Sequence, residues 1–319
     1  MNRLRVIISV TASMFLIAMS SPATPGAADE PLAAPQAAKE KKIGLALGGG
    51  GAKGLCHIAF LKALDEMDLK PSVIAGTSIG AMVGGFYAAG VSGSQMEQLL
   101  KEMNLLDAAE IVDFSITSNS GVVTGKGIET FLRKHIPART FEELKIPLKV
   151  VATDFWGRKD VILQSGNLIQ AIRASISIPA LFEPVKLGGM VLVDGGAFNP
   201  LPFDIIREEC DLLIAIDVSG EKAPAAGSPI PSMFENIVTT FQIMGESIIR
   251  NKMKMVKPDI YIKPALTNVR VLEFHRYAEI MESVKEDIEV LKRKLHEKLP
   301  PPSRTACSSS AQAMGAGYR

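Results

Sequence analysis

The sequence predicts an α/β fold, a mostly parallel central sheet with helices on both faces. Three observations carry this. Short β-branched or apolar runs alternate with helical patterns over residues 41–299, and such alternation builds βαβ units whose crossovers cover both sides of a parallel sheet. The residues able to do chemistry follow directly after strand candidates, where sites in such sheets sit. The chain has 319 residues, 47% apolar and 22% charged, values of a globular protein with one large or two average domains.

Taken in order, residues 1–28 read as a secretory signal peptide. Arg3 and Arg5 precede the 14-residue apolar run from Val6 to Met19, and the small residues Ser21-Pro22-Ala23 and Gly26-Ala27-Ala28 follow. The run is shorter than the roughly 20 residues of a spanning helix, so cleavage after Ala23 or Ala28, and export to the periplasm or medium, is expected over an N-terminal inner-membrane anchor. Residues 29–40 read as a flexible linker.

The first strand candidate, Ile43–Leu47, runs into a glycine-rich segment and the helix signal Leu55–Leu64. The second, Val73–Gly76, is followed by the helix Ile79–Gly90, whose small residues mark it as buried rather than membrane-spanning. Ser94–Glu97, Thr140–Glu143 and Ser232–Glu235 match the capping box that opens helices. Ile128–Ile136 is a further helix, with His135 at its cation-favouring end. The remaining strands are Leu148–Thr153, Val191–Val193, Leu212–Val218 and Ile260–Ile262. Met233, Ile237, Phe241, Met244 and Ile248 recur at helical spacing and read as a core stripe. Arg270–Leu299 reads as one long charged helix carrying a Glu289–Arg293 pair, stopped by Pro300-Pro301-Pro302, with a disordered tail over 300–319.

Composition narrows the function. Lys plus Arg total 35 against 34 Asp plus Glu, without the basic excess of a nucleic-acid binder. One Trp and four Tyr offer few stacking platforms. Three cysteines, Cys56, Cys210 and Cys307, make no disulfide framework, and no Cys/His cluster suggests zinc.

Three segments carry chemistry. Gly48-Gly49-Gly50-Gly51-Ala52-Lys53-Gly54 lies between a strand and a helix, where successive N–H groups can converge on a phosphate or an oxyanion. Gly49 to Gly54 fits GxGxxG, but the second strand ends Gly76-Thr77-Ser78 without the acid a dinucleotide ribose needs, and the GK[ST] of a P-loop is missing. Gly76-Thr77-Ser78-Ile79-Gly80 is a GxSxG in the strand–turn–helix setting of a nucleophile elbow. Val193-Asp194-Gly195-Gly196 ends another strand, and alone would be a plain Asp-Gly turn.

In order and spacing these segments resemble the patatin-like phospholipases, which pair a GGGx[RK]G oxyanion loop with a GxSxG nucleophile and a later DG[AG] acid. The stretches Arg173–Phe182, Asp194–Pro202 and Leu213–Ser219 also fit; Lys53 stands where many members carry Arg. The resemblance implies a three-layer fold, with 41–210 as catalytic core and 211–299 as its continuation. It implies a Ser–Asp dyad of Ser78 as nucleophile and Asp194 as proton acceptor, with Gly49, Gly50 and Gly51 as oxyanion donors. Lys53, Gly54, Gly76, Gly80, Gly195 and Gly196 support these motifs. The implied substrate is a lipid or other acyl ester, with peripheral membrane contact and neither cofactor nor metal. A catalytically weak acyl-binding protein of the same fold is the alternative.

Other candidates read as structural. His275 and His296, the histidines after Asp194, are expected to be solvated helix residues, and His57 to make a structural hydrogen bond. Asp154, Asp160 and Asp217 are expected as caps or turn residues, and Cys56 as a small core residue.

Overall fold

The computed structural model describes residues 41–103, 123–220, 230 and 233–299. The expectations for residues 1–28, 29–40 and 300–319, and for a helix start at Ser232, lie outside them. Among the described residues eight strands form one sheet: β1 (Ile43–Leu47), β2 (Val73–Thr77), β3 (Leu148–Asp154), β4 (Lys159–Leu163), β5 (Val185–Leu187), β6 (Met190–Asp194), β7 (Leu212–Ile216) and β8 (Ile260–Ile262). Their order is β5-β6-β3-β2-β1-β7-β8, with β4 also paired to β3. From β3 through β8 in that order neighbouring strands run parallel; β4, β5 and β6 are the antiparallel additions.

All five residues of β1 are buried, as a strand covered on both faces requires. Its period of two divides the core. Ile43, Leu45 and Leu47 join Ile74, Ile214 and Ile216 on one face, while Ala46 joins Val73, Ala75, Leu213 and Ala215 on the other. The first face carries the longer side chains. It is covered by α1 (His57–Glu66), α2 (Ile79–Ala88), α4 (Lys126–His135), α5 (Leu168–Ser175) and α8 (Lys285–Lys298), which supply Phe60, Phe86, Leu132, Ile172 and Leu295. On the second face, smaller side chains let Phe203 and Ile206 of the segment before β7 come down, joined by Ile249 of α6 (Met233–Met255). The three-layer α/β arrangement follows.

Several local expectations change. α3 (Gly93–Glu102) is opened by Ser92 and Gln95, whose side chains and backbone N–H groups exchange bonds of 3.2 and 2.8 Å. Ser94 and Glu97 lie inside that helix, and Glu97 pairs with Lys62 and Lys101. Thr140 precedes only one 3-10 turn, Phe141–Glu143, because β3 begins five residues later and leaves no room for a helix. β4 and β5 are half-exposed strands with charged residues such as Lys159 and Lys186, so no apolar run announces them.

The helix expected over 270–299 is broken. A 3-10 turn (Phe274–Arg276) leads into α7 (Tyr277–Ser283), and α8 follows the fully buried Val284. The break lets α7 pack on the turn Gly51–Cys56 while α8 lies against α1 and β8. Glu289 pairs with Lys292 at 3.6 Å rather than with Arg293.

Candidate active site

The parallel strands β1 and β2 end side by side, Leu47 level with Gly76, and the chain leaves each through a constrained turn. After β1, Gly48 N–H donates to Ile216 O at 3.1 Å and Gly49 N–H to Pro200 O at 2.9 Å. Gly51 has φ +58, and a Cβ there would lie 2.5 Å from Val271 O. Only glycine meets both demands. The N–H groups of Gly50 and Gly51 have no acceptor among the described residues, and both glycines line a cavity. Of the expected donors, Gly49 therefore already spends its N–H on Pro200.

After β2, Ser78 sits at φ 56, ψ −124, directly before α2. A non-glycine residue held there costs of order 1–3 kcal/mol. The turn is tight because α2 crosses the end of β1: a Cβ on Gly80 would lie 2.2 Å from Leu47 O. Gly54 and Gly76 border the same helix start, against Ile79 and Ala81. The N-terminus of α2 places positive potential beside the hydroxyl.

Asp194 reaches the serine by a route not visible in sequence. Both residues were expected to end strands of one parallel sheet, but β6 runs antiparallel to β3. Thr77 pairs with Val151, and Asp194 pairs with the next residue, Ala152. With β4 on the opposite edge of β3, β6 takes over the edge where β2 stops, and the two strands meet end to end. Ser78 Oγ then donates to Asp194 Oδ2 at 2.7 Å, and Gly196 N–H donates to Oδ1 at 2.7 Å. Gly195 abuts Val151 O. Burial pushes the Asp194 carboxyl up to about 6, against the opposing pull of its two hydrogen bonds.

The end of α5 and the residues after it brace both partners, a role sequence reasoning missed although it singled out the stretch. Ser78 N–H donates to Ser175 Oγ at 2.8 Å, and that hydroxyl donates to Val151 O at 2.6 Å. Asp194 N–H donates to Ser177 O at 2.9 Å. The buried Arg173 holds Ser177 Oγ at 2.7 Å and the carbonyls of Thr124 and Glu183 at 2.7 and 3.1 Å.

The histidines are elsewhere. His57 is buried, shares a 2.9 Å hydrogen bond with Gly48 O through Nε2, and is pushed down to about 4 by burial, so it is neutral at pH 7. His275 and His296 are exposed and line no part of the cavity. His135 packs its ring on Phe131 at the end of α4, centroids 4.8 Å apart. Lys53 is buried and donates to Ser219 O; burial lowers it to about 8, opposed by Asp217. Asp217 accepts from Ser219 N–H at 2.9 Å, a turn contact, and from Tyr261 OH at 2.6 Å. Asp154 O accepts Arg158 N–H in the turn after β3, whereas Asp160 lies within β4. Cys56 is fully buried, which pushes its thiol up. Among the described residues no group of His, Cys, Asp or Glu could hold a metal ion.

Ser78, Asp194, Gly50 and Gly51 open into a cavity of about 100 Å³ whose walls include Ile178, Pro179, Ile237, Val238, Phe241 and Val271. The stripe on α6 is thus not core. Ile237 and Phe241 line the cavity, and Met233 and Met244 are exposed. A helical apolar period looks the same whether the face meets protein or an apolar ligand.

A strained serine on a strand-to-helix turn, bonded to a buried carboxylate beside backbone N–H groups that have no acceptor among the described residues, has the layout of serine hydrolases. The chain belongs to the patatin-like phospholipase family, whose description matches residues 45–207. An uncharacterised NTE family protein of Mycobacterium tuberculosis is 37% identical over 193 residues, 60% of this chain and 53% of that protein. Human patatin-like phospholipase domain-containing protein 6 is 33% identical over 187 residues, 56% of this chain and 13% of that protein. The chain therefore spans about half the length of its mycobacterial relative and far less of the human one. Among solved structures, VipD from Legionella pneumophila aligns over 76% of this chain and 67% of its own, at TM-score 0.40 and 15% identity. Lipid acyl hydrolysis is the general chemistry of the family.

Proposed function

We propose that this protein is a serine acyl-ester hydrolase of lipids working through a Ser78–Asp194 dyad. The observation that carries the reading is the 2.7 Å bond from the Ser78 hydroxyl to a buried carboxylate held near pKa 6. Asp194 accepts the Ser78 proton as Oγ attacks the ester carbonyl. The N–H groups of Gly50 and Gly51 take the developing oxyanion, each worth about 3 kcal/mol. Asp194 returns the proton to the leaving alcohol, and water then releases the acyl group by the same steps in reverse. The apolar cavity takes the acyl chain. Phospholipase A, lysophospholipase and carboxylesterase activity all use this chemistry, and export of the protein with peripheral membrane contact belongs to the same proposal. A pure acyl binder would gain nothing from keeping Ser78 in a costly backbone conformation.

A panel of phospholipids, lysophospholipids and p-nitrophenyl acyl esters, run with wild type and Ser78→Ala, tests this. Turnover by wild type alone is expected on at least one lipid ester; no turnover on any, or equal turnover by both proteins, contradicts it.

Two further results are expected. Ser175→Ala strands the buried Ser78 N–H, so kcat falls about tenfold with KM unchanged and stability drops by roughly 1–3 kcal/mol; steady-state kinetics and urea titration check both. His275→Ala and His296→Ala keep kcat within about twofold, as for exposed residues outside the site, whereas His57→Ala loses its bond to Gly48 and with it stability. A loss near 10³-fold from either exposed histidine, with folding intact, would point to a conventional triad.

A further inference from the structure

The hairpin joining β3 and β4 carries the chain's single tryptophan at its tip. Trp156 is 76% exposed and Phe155 52%, with rings edge to face and centroids 4.9 Å apart. The tip is braced. Arg158 N–H closes the turn on Asp154 O at 2.8 Å, and Phe155 N–H reaches Val191 O at 2.9 Å. Five residue pairs hold β3 and β4 in register. Two large aromatic rings are thus presented to solvent on a rigid support, where burial would ordinarily be worth several times the thermal energy.

The fully exposed charges beside them are cationic. Arg158 and Lys159 are exposed, Asp154 is buried and Asp160 is only half-exposed. Exposed aromatic rings flanked by cations match a lipid–water interface, the rings at headgroup depth and the cations on anionic phosphates. The tip also lies at the end of the sheet that holds the site. β2 and β3 are parallel with Thr77 level with Val151, so the end of β3 at Asp154, from which the tip departs, stands about 10 Å beyond the level of Thr77 along the strand direction.

We propose that the Phe155–Trp156 tip, with Arg158 and Lys159, is a docking element that seats this end of the protein on an anionic membrane surface. The proposal rests on the reading of the substrate as a lipid ester, yet the docking itself needs no turnover. It goes beyond the hydrolytic site, since none of these four residues lines the cavity.

The experiment uses the Ser78→Ala protein, which cannot consume the vesicles, and reads the fluorescence of Trp156. With phosphatidylglycerol vesicles the emission is expected to move to shorter wavelength and to be quenched by brominated acyl chains. With phosphatidylcholine vesicles binding is expected to be weaker. Trp156→Ala, followed by vesicle sedimentation, should weaken binding about tenfold or more. Arg158→Gln and Lys159→Gln should each weaken it about fivefold, and salt should weaken it further. Wild type and Trp156→Ala should hydrolyse a soluble short-chain ester equally. Unchanged emission with anionic vesicles would overturn the proposal. So would Trp156→Ala protein that still binds fully, which would shift the contact to another surface such as Ile243 and Met244 on α6. Emission already at short wavelength without vesicles would show the ring covered by the chain itself, with the same consequence. Failure of hydrolysis alongside normal docking would count against the dyad reading alone.

Discussion

Ser78→Ala is expected to lower kcat on acyl esters by about 10⁵–10⁶-fold, the loss that follows removal of a serine nucleophile. The oxygen removed is the one bonded to Asp194 at 2.7 Å, and no other hydroxyl occupies its place at the head of α2. The fold should survive. Alanine at φ 56 keeps the same backbone strain as serine, and the deleted hydroxyl leaves a carboxylate that can take up a proton instead. Circular dichroism and steady-state kinetics on purified protein check the two halves of this result. A second substitution at Asp194 in the Ser78→Ala background should add almost nothing to the loss, because the two residues serve one step. Losses that multiply would contradict their acting together.

Asp194→Asn is expected to lower kcat by about 10²–10⁴-fold while stabilising the protein. Asparagine keeps the shape but accepts no proton, so the attacking hydroxyl loses its base. For wild type, turnover should fall as pH drops through about 6, where the carboxyl takes up its proton. Stability moves the other way. The ordinary aspartate value is 3.8 and burial raises it to about 6, so below 3.8 the group is protonated both folded and unfolded. Between the two values the folded state binds the proton more tightly, and above about 6 the fold carries a buried charge. The gap of about two pH units corresponds to roughly 3 kcal/mol of destabilisation in wild type at pH 8. The asparagine side chain has no such charge. The Tm of the Asp194→Asn protein should therefore exceed that of wild type at pH 8, with the advantage shrinking towards pH 4. A thermal melt series across that range reads it, and an Asp194→Asn protein that is less stable at pH 8 would show that burial of the carboxylate is not costly.

The buried parallel strands could be read from residues because their short apolar runs are uninterrupted by charge and their glycine and serine turns are chemically distinctive. β1, β2, β7 and β8 fall where Ile43, Val73, Leu212 and Ile260 open such runs. β4 and β5 could not be read, since half-exposed strands holding Lys159 and Lys186 carry no apolar signal. Ser78, Asp194 and the glycine loop were legible as motifs, but the way they meet was not. It depends on β6 running antiparallel and taking the edge of β3 vacated by β2, and strand direction leaves no mark on an apolar run of four residues, Met190 to Val193. The role of Gly49 was hidden for a related reason: its N–H is claimed by Pro200, 151 positions away in sequence. The stripe on α6 was visible but misassigned, because Ile237 and Phe241 face an apolar cavity where the spacing suggested protein. Ser175 gave no signal of its own. A serine near the end of a helix is commonplace, and only the approach of the Ser78 N–H to 2.8 Å shows its use.

The most direct test of the dyad is covalent. Wild type, Ser78→Ala and Asp194→Asn are incubated with a fluorophosphonate, digested, and the modified peptide is located by mass spectrometry. The dyad predicts one phosphonyl group on Ser78 in wild type, none in Ser78→Ala, and labelling of Asp194→Asn slowed by about 10²-fold or more, because the hydroxyl has lost its proton acceptor. Labelling of a different residue in wild type, or labelling of Asp194→Asn at the wild-type rate, would contradict it.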